Sequence, residues 1–173
     1  MRDIRQIRPS VWLFAAMVAG CAILASGAIF APHPRIVWNA TASAPRGLYF
    51  LAERRANRGD LVLVSTPLSI RQLAAERGYI PANVPLIKRI AAEQGDEVCG
   101  TGDRISINGI LVAFRRARDG QSRVLPRWAG CRLLGASDIF LLMPTVPSSF
   151  DGRYFGVTSR RAVLGRLVPL WIE

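Results

Sequence analysis

The chain has 173 residues, half of them apolar, and a formal net charge of +11, which leaves room for one domain of ordinary size and one further segment. A charge of this sign fits nucleic acid. The arginines are scattered rather than striped, however, and no aromatic-rich binding motif interrupts them, so anionic lipid headgroups are the simpler counterpart and nucleic acid is not expected as a partner. With one histidine and three cysteines, the chain cannot supply a tetrahedral metal set without carboxylates at motif spacing; neither a metal nor another cofactor is expected.

Val11 to Phe30 reads VWLFAAMVAGCAILASGAIF and carries no charge. As a helix it spans about 30 Å, the thickness of a bilayer core. Arg2, Arg5 and Arg8 stand against Asp3 in the flank before it, so the positive-inside rule keeps the N-terminus in the cytoplasm. Residues 1–10 are thus read as a cytoplasmic flank, 11–31 as a transmembrane anchor, and 36–173 as a domain on the outer face of that membrane. A cleaved signal peptide is the alternative: Ala25 to Ala28 offers small residues, although the apolar region of such a peptide is usually only about 7–15 residues long. Cys21 lies inside the apolar run as a small packing residue. Cys99 and Cys131 fall in the exported part, where disulfides persist, and are expected to pair.

After the anchor, APHPRIVW contains two prolines and reads as an extended connector. NATASAPRGLYF (39–50) follows, rich in small polar residues, and by itself fits a flexible neck. LVLVS (61–65), LIKRIAA (86–92), DRISING (103–109) and IFLLM (139–143) are β-type runs, and AVLGRLVPLWIE reads as a terminal strand pair bent at Gly165. PLSIRQLAAERG (67–78) is the exception, with a proline at its start, glycine at its end and helical spacing of Leu68, Leu73 and Ala74. The expected fold is mainly β, a barrel-like or coiled sheet with a short helical insertion, preceded by one N-terminal transmembrane helix.

Elimination narrows the chemistry. The one histidine, His33, is wedged between Pro32 and Pro34, so Ser-His-Asp and Cys-His arrangements lack a base. Of 23 basic residues the only lysine is Lys88, inside PLIKRIAA. A guanidinium cannot give up its proton, whereas an amine in an apolar site can have its pKa lowered and act as a base. The alternative is an ordinary surface lysine that happens to be alone. Thr41 and Ser43 are hydroxyls two apart, which on an extended segment puts them on one face. One could attack a carbonyl while the other helps hold the oxyanion; the alternative is that both belong to a linker.

Together, the anchor, TASAPRGLY with its central serine, PLIKRIAAEQGD and SSFDGRYFG resemble the signal peptidase family with its Ser-Lys dyad. Within that family they resemble the TraF-type branch, the conjugative-transfer peptidases that mature pilin subunits. RGYIPANVPLIKR and LPRWAGCRLL are similar to that branch too, and the resemblance runs in order over about residues 36–171. It implies Ser43 as nucleophile, Lys88 as general base, and the Thr41 hydroxyl with the Ser43 backbone as oxyanion donors. It also implies Ser149 as the hydroxyl that orients the lysine, and Asp151 and Arg153 as the charged pair bracing the site. General signal peptidases have a Gly-Asp-Asn-Arg-type segment where this chain has MPTVPSS, and a Met where it has Ala44; both departures favour the TraF-type branch.

The resemblance further implies a monomeric, single-pass enzyme of the inner membrane with its catalytic domain in the periplasm. Its partners would be membrane lipid and pilin precursors with small residues near the cleavage site, whose acyl-enzyme is resolved by water or by the pilin's own N-terminus. Other readings are a general signal peptidase removing leader peptides, a non-catalytic envelope scaffold of a secretion apparatus, and a Ser-Lys self-cleaving repressor fold. The anchor argues against the last.

Overall fold

The structure is a computed structural model that describes residues 9–29 and 35–173. The chain divides into two compact units, residues 1–34 and 35–173. In the first, the apolar run forms helix α1, Pro9–Ile29, without an acid in its first turn or a base in its last. Trp12, Leu13, Phe14, Met17, Val18 and Ile23 are exposed on it. Among the described residues no helix is long and apolar enough to cross a membrane, and the anchor expected over 11–31 is not shown. The charged flank before residue 9 and His33 lie outside the described residues.

The second unit holds two antiparallel sheets. Strands β1 (Ile36–Asn39), β2 (Gly47–Ala52), β3 (Leu61–Val64), β4 (Leu86–Ala92), β5 (Glu97–Thr101), β6 (Arg104–Ile107), β7 (Ile110–Phe114), β8 (Gly130–Leu133), β9 (Asp138–Leu142), β10 (Thr158–Ser159) and β11 (Val163–Ile172) follow in chain order. Helix α2, Leu68–Glu76, lies between β3 and β4, and the one-turn helix α3, Gly152–Phe155, between β9 and β10. Seven strands form one sheet in the order β1-β2-β11-β3-β4-β9-β10, and four form the other, β7-β6-β5-β8. The last strand is thus inserted between β2 and β3.

The apolar runs account for the buried strands. Val62, Val64, Ile90, Ile139 and Leu141 are fully buried in one cluster, with Ala56 beside them. Phe140 and Leu142 point to the other face and pack with Val98 and Ile105 of the small sheet, the alternation that a pleated strand imposes. DRISING becomes β6 and its turn, with Asn108 at φ 50°, a conformation that Asn tolerates better than most residues.

Three expectations are corrected. The described end of APHPRIVW is not a connector, because Ile36–Asn39 pairs with Gly47–Phe50 as β1 and β2, so residues 40–46 of NATASAPRGLYF are the turn of a hairpin and not a neck. AVLGRLVPLWIE is one ten-residue strand rather than two. Gly165 marks a shift in register against β3, not a break; a side chain there would collide with Leu51 and the Ala52 carbonyl. Helix α2 begins one residue after Pro67, which is its N-cap and not its first residue.

Cys99 on β5 and Cys131 on β8 are directly opposite in register and form a disulfide across 32 residues of chain. On a loop-entropy account, closing a loop of this size stabilises the fold by about 4 kcal/mol. Reduction of the purified protein should therefore lower its urea-unfolding free energy by about 2–4 kcal/mol, and a mass measurement before reduction should show no free thiol at either position.

Candidate active site

The loop from residue 40 to 46 is organised by one side chain, that of Asn39. Its amide donates to the carbonyls of Thr41 at 3.1 Å, Ala44 at 3.1 Å and Pro45 at 2.9 Å. Its Oδ1 accepts the Thr41 backbone N–H at 3.1 Å and the Thr41 hydroxyl at 2.9 Å. A buried amide with both ends satisfied holds a turn that contains little else to hold it. Asn39 is the last residue of β1, paired with Gly47, so it faces the loop it closes. Tyr49 supports the same turn, its hydroxyl donating to Pro45 O at 2.6 Å. Gly47 is required here: its φ is +145°, and a Cβ would sit 2.1 Å from the Trp171 carbonyl on β11.

Within this loop the Thr41 and Ser43 hydroxyls lie 3.2 Å apart. Their neighbourhood comes from the turn and not from an extended segment as expected. The protons can be assigned by counting. Thr41 has one hydroxyl proton, and Asn39 Oδ1 takes it; the Thr41–Ser43 contact is then a donation from Ser43 to Thr41.

Lys88 is the third residue of β4, opposite Val62 on β3, and is only 2% exposed. Its neighbours on the strand, Ile87 and Ile90, are buried, whereas Arg89 points outward. Burial pushes the amine from 10.5 down to about 8; Asp151 acts in the opposite sense and Arg153 adds to the lowering. The isolated lysine is therefore not a surface residue.

SSFDGRYFG forms the turn into α3. Asp151 caps that helix, accepting from the Arg153 backbone N–H, and also takes the Met143 N–H at 3.0 Å. Its two oxygens receive Arg153 Nε and Nη2, both at 2.9 Å. Arg153 then spans to the carbonyls of Met143 and Val146, each at 2.8 Å. Both side chains are buried, at 0% and 1% exposed. Gly152 between them has no room for a side chain: a Cβ would approach Leu141 O to 2.6 Å and the Phe140 ring to 2.7 Å. Ser149 is buried, and its hydroxyl has no hydrogen-bond partner among the described residues.

These segments meet around a cavity of about 350 Å³ whose wall includes Thr41, Ser43 and Lys88. Asn39 and Ser148 also reach it, whereas Ser149, Asp151 and Arg153 do not line it. Ser43 and Lys88 are not hydrogen-bonded to each other among the described residues. The remaining wall comes from Tyr79 and Ile80, from Val84 to Ile87, from Phe150 and Tyr154, and from Arg116, Arg118, Asp119, Gly120 and Leu125. Phe150 stacks on Tyr154 with centroids 5.6 Å apart, and Tyr79 tilts against Phe150 at 5.0 Å. The grouping of Glu97, Cys99 and Cys131 offers no thiolate to a metal, since both sulfurs are in the disulfide.

Sequence reasoning missed Asn39, although it opens the stretch that was singled out, and the arginine-bearing wall. The first carried a usable signal, an Asn ahead of a Thr-x-Ser-x-Pro turn; the second is assembled from segments too far apart to suggest one another.

The buried amine also has a cost in stability. Between pH 8 and its ordinary value near 10.5, Lys88 binds fewer protons in the folded chain than in the unfolded one, so stability rises with pH across that window. Below pH 8 both forms carry the proton and a penalty of about 3 kcal/mol remains in full. Lys88→Met should accordingly raise the unfolding free energy at pH 7 by about 1–3 kcal/mol, with the gain shrinking as the pH is taken from 8 to 10.5. Asn39→Ala should lower it by about 1–3 kcal/mol, since it orphans several loop groups at once.

A crystal structure of a signal peptidase I from Enterococcus faecalis is a distant likeness, with a TM-score of 0.40 and 18% identity over 68% of this chain and 100% of that one. A plasmid transfer protein TraF of Escherichia coli is 32% identical over 168 residues, covering 91% of this chain and 93% of its own. A second TraF of the same organism is 34% identical over 166 residues, covering 89% and 92%. Residues 8–171 match the family described as signal peptidase, peptidase S26. That match and the TraF relatives place the chain in the signal peptidase family, peptidase S26: it is a serine peptidase related to the TraF transfer proteins.

Proposed function

We propose that the protein cleaves a membrane-associated precursor with a Ser43-Lys88 dyad, and that in line with its TraF relatives the precursor is a pilin-type subunit of a conjugation apparatus. The observation that carries this reading is the shared wall: the chain's sole lysine, buried and with a lowered pKa, faces the same cavity as the Thr41-Ser43 turn. A cationic surface lysine would need neither feature.

Neutral Lys88 Nζ takes the Ser43 hydroxyl proton while Oγ attacks the carbonyl after a small residue. The oxyanion is held by the Ser43 backbone N–H and the Thr41 hydroxyl, each such donor being worth about 3 kcal/mol. In the resting loop the two hydroxyl protons are engaged elsewhere, that of Ser43 on Thr41 Oγ1 and that of Thr41 on Asn39 Oδ1. Substrate entry therefore turns both hydroxyls, releasing the Ser43 proton toward Lys88 and the Thr41 proton toward the new oxyanion. The Ser149 hydroxyl, buried without a partner, orients the amine. Lys88 then returns the proton to the leaving amine, and water or a second amine attacks the acyl-enzyme. In the first case the product has a free C-terminus; in the second the pilin closes into a ring.

Membrane placement follows the same reading. Helix α1 would anchor the chain with its catalytic domain in the periplasm. Trp38 and Trp171, exposed and stacked 6.0 Å apart, suit a lipid interface, where indole rings concentrate.

With the base titrating near 8, kcat/KM for precursor cleavage should rise about tenfold per pH unit below pH 8 and level off above it. Lys88→Arg keeps the charge but removes the base, and should lower kcat/KM by at least about 10³-fold, as should Ser43→Ala. Co-expression with candidate pilin precursors and mass measurement of the products checks both. Intact processing by either variant would reject the dyad, and a product lighter by one water than the linear cleavage product would identify ring closure.

A further inference from the structure

The far side of the cavity is built to carry positive charge. Residues 115–125 leave β7 and double back as a short arm: Arg118 bridges to Val124, the Leu125 N–H donates to Ala117 O at 3.0 Å and the Asp119 N–H to Arg123 O at 2.9 Å. The arm is fastened to the segment after α2, with Arg77 donating to Val124 O at 2.7 Å and Arg123 lying over the Tyr79 ring at 5.5 Å. Its one acid is already saturated. Asp119 receives the Tyr79 hydroxyl, Arg123 Nε at 2.7 Å and the N–H groups of Gln121 and Arg123, each at 2.9 Å. Burial alone would raise this carboxyl, but the Tyr79 and Arg123 hydrogen bonds outweigh it and hold the group ionised, well below the usual carboxylate range.

Arg116 and Arg118 remain. Both line the cavity that holds Ser43 and Lys88. Arg118 donates one hydrogen bond from its guanidinium, to Ser122 O at 2.6 Å. The Arg116 guanidinium makes no hydrogen bond or ion pair among the described residues, while its backbone N–H is fixed on the Tyr154 hydroxyl at 3.2 Å. Two guanidiniums thus stand on a braced arm, beside an aromatic stack, with most of their donors without a partner among the described residues. Guanidinium forks match carboxylates in geometry and charge, and such pairs gain strength where the site is partly closed to water.

We propose that the arm is an anion subsite of the substrate cleft, where Arg116 and Arg118 bind a carboxylate of the peptide being cleaved, either an Asp or Glu side chain near the scissile bond or the peptide's free C-terminus. This rests on the peptidase reading for the identity of the ligand but not for its charge. An acidic precursor would be selected over a neutral one with the same small residues at its cleavage site, a discrimination that recognition of those small residues cannot provide.

The test uses the full chain in detergent and peptides with small residues at the −1 and −3 positions, carrying Glu or Gln at each neighbouring position and ending in a free acid or an amide. The expected result is a kcat/KM at least about tenfold higher for one Glu position or for the free acid, with the acidic-to-neutral ratio falling to near one in Arg116→Gln/Arg118→Gln. Loss of the preference on Glu→Gln exchange assigns the anion to a side chain; loss on amidation assigns it to the C-terminus. Affinity of the same peptides for Ser43→Ala reads the subsite without turnover. If wild-type cleavage fails but the acidic peptide binds Ser43→Ala at least about tenfold tighter, through the two arginines, the peptidase reading is wrong and the subsite stands. Equal affinity for acidic and neutral peptides, or a preference that survives the double substitution, overturns the subsite whatever the turnover.

Discussion

The Asp151–Arg153 pair is the interaction on which the rest of the site rests. Two full charges with almost no solvent contact are tolerated because each is also hydrogen-bonded to the backbone around it. Asp151 collects N–H groups from Met143 and Arg153, and Arg153 donates to the carbonyls of Met143, Val146 and, at 3.4 Å, Pro147. A buried pair of this kind contributes little net stability against a hydrophobic replacement, but removing either partner leaves a stranded charge. Its value is positional. It welds the end of β9 to the turn that carries Ser149, Phe150 and Tyr154, so one electrostatic contact fixes the floor of the cavity and the aromatic wall together.

On the proposed dyad, the same pair explains how a lysine could serve as a base beside an aspartate. A lone carboxylate next to Lys88 would stabilise its cationic form and spoil it. Here the opposing influences of Asp151 and Arg153 on the amine act together, and burial is left as the dominant effect. The site therefore avoids the usual conflict between bracing a turn with a buried acid and keeping the pKa of a nearby amine low. A hydrophobic wall alone could lower the lysine but could not hold the turn.

Much of the fold was legible where a run was both apolar and bounded by turn residues, as in β3, β4, β6 and β9. It was less so where pairing and not composition makes the strand. Ile36–Asn39 sits behind prolines and is half exposed, and becomes β1 only because Gly47–Phe50 turns back along it. The unbroken β11 was obscured by Gly165 and Pro169, which normally punctuate strands but here mark shifts of register. At the site, Lys88 stood out because the chain uses arginine everywhere else. Asn39 did not, because its role depends on a loop that folds back onto it. Nor did Arg116 and Arg118, which a sequence rich in arginine conceals among many like them. The family was readable from three blocks in order. How Thr41 and Ser43 share their protons was not, since it depends on the turn.

The order of strands in the large sheet has a consequence in time. The hairpin that carries Ser43 is β1-β2, and the strand that carries Lys88 is β4; in the sheet they are joined only through β3 and, between β2 and β3, the strand Val163–Ile172. A growing chain that has already produced the serine and the lysine still lacks the piece that sets them in one frame. On the proposed dyad, proteolytic competence would therefore await the strand Val163–Ile172, and a peptidase emerging beside its own unfolded segments would stay silent while they are most vulnerable to it.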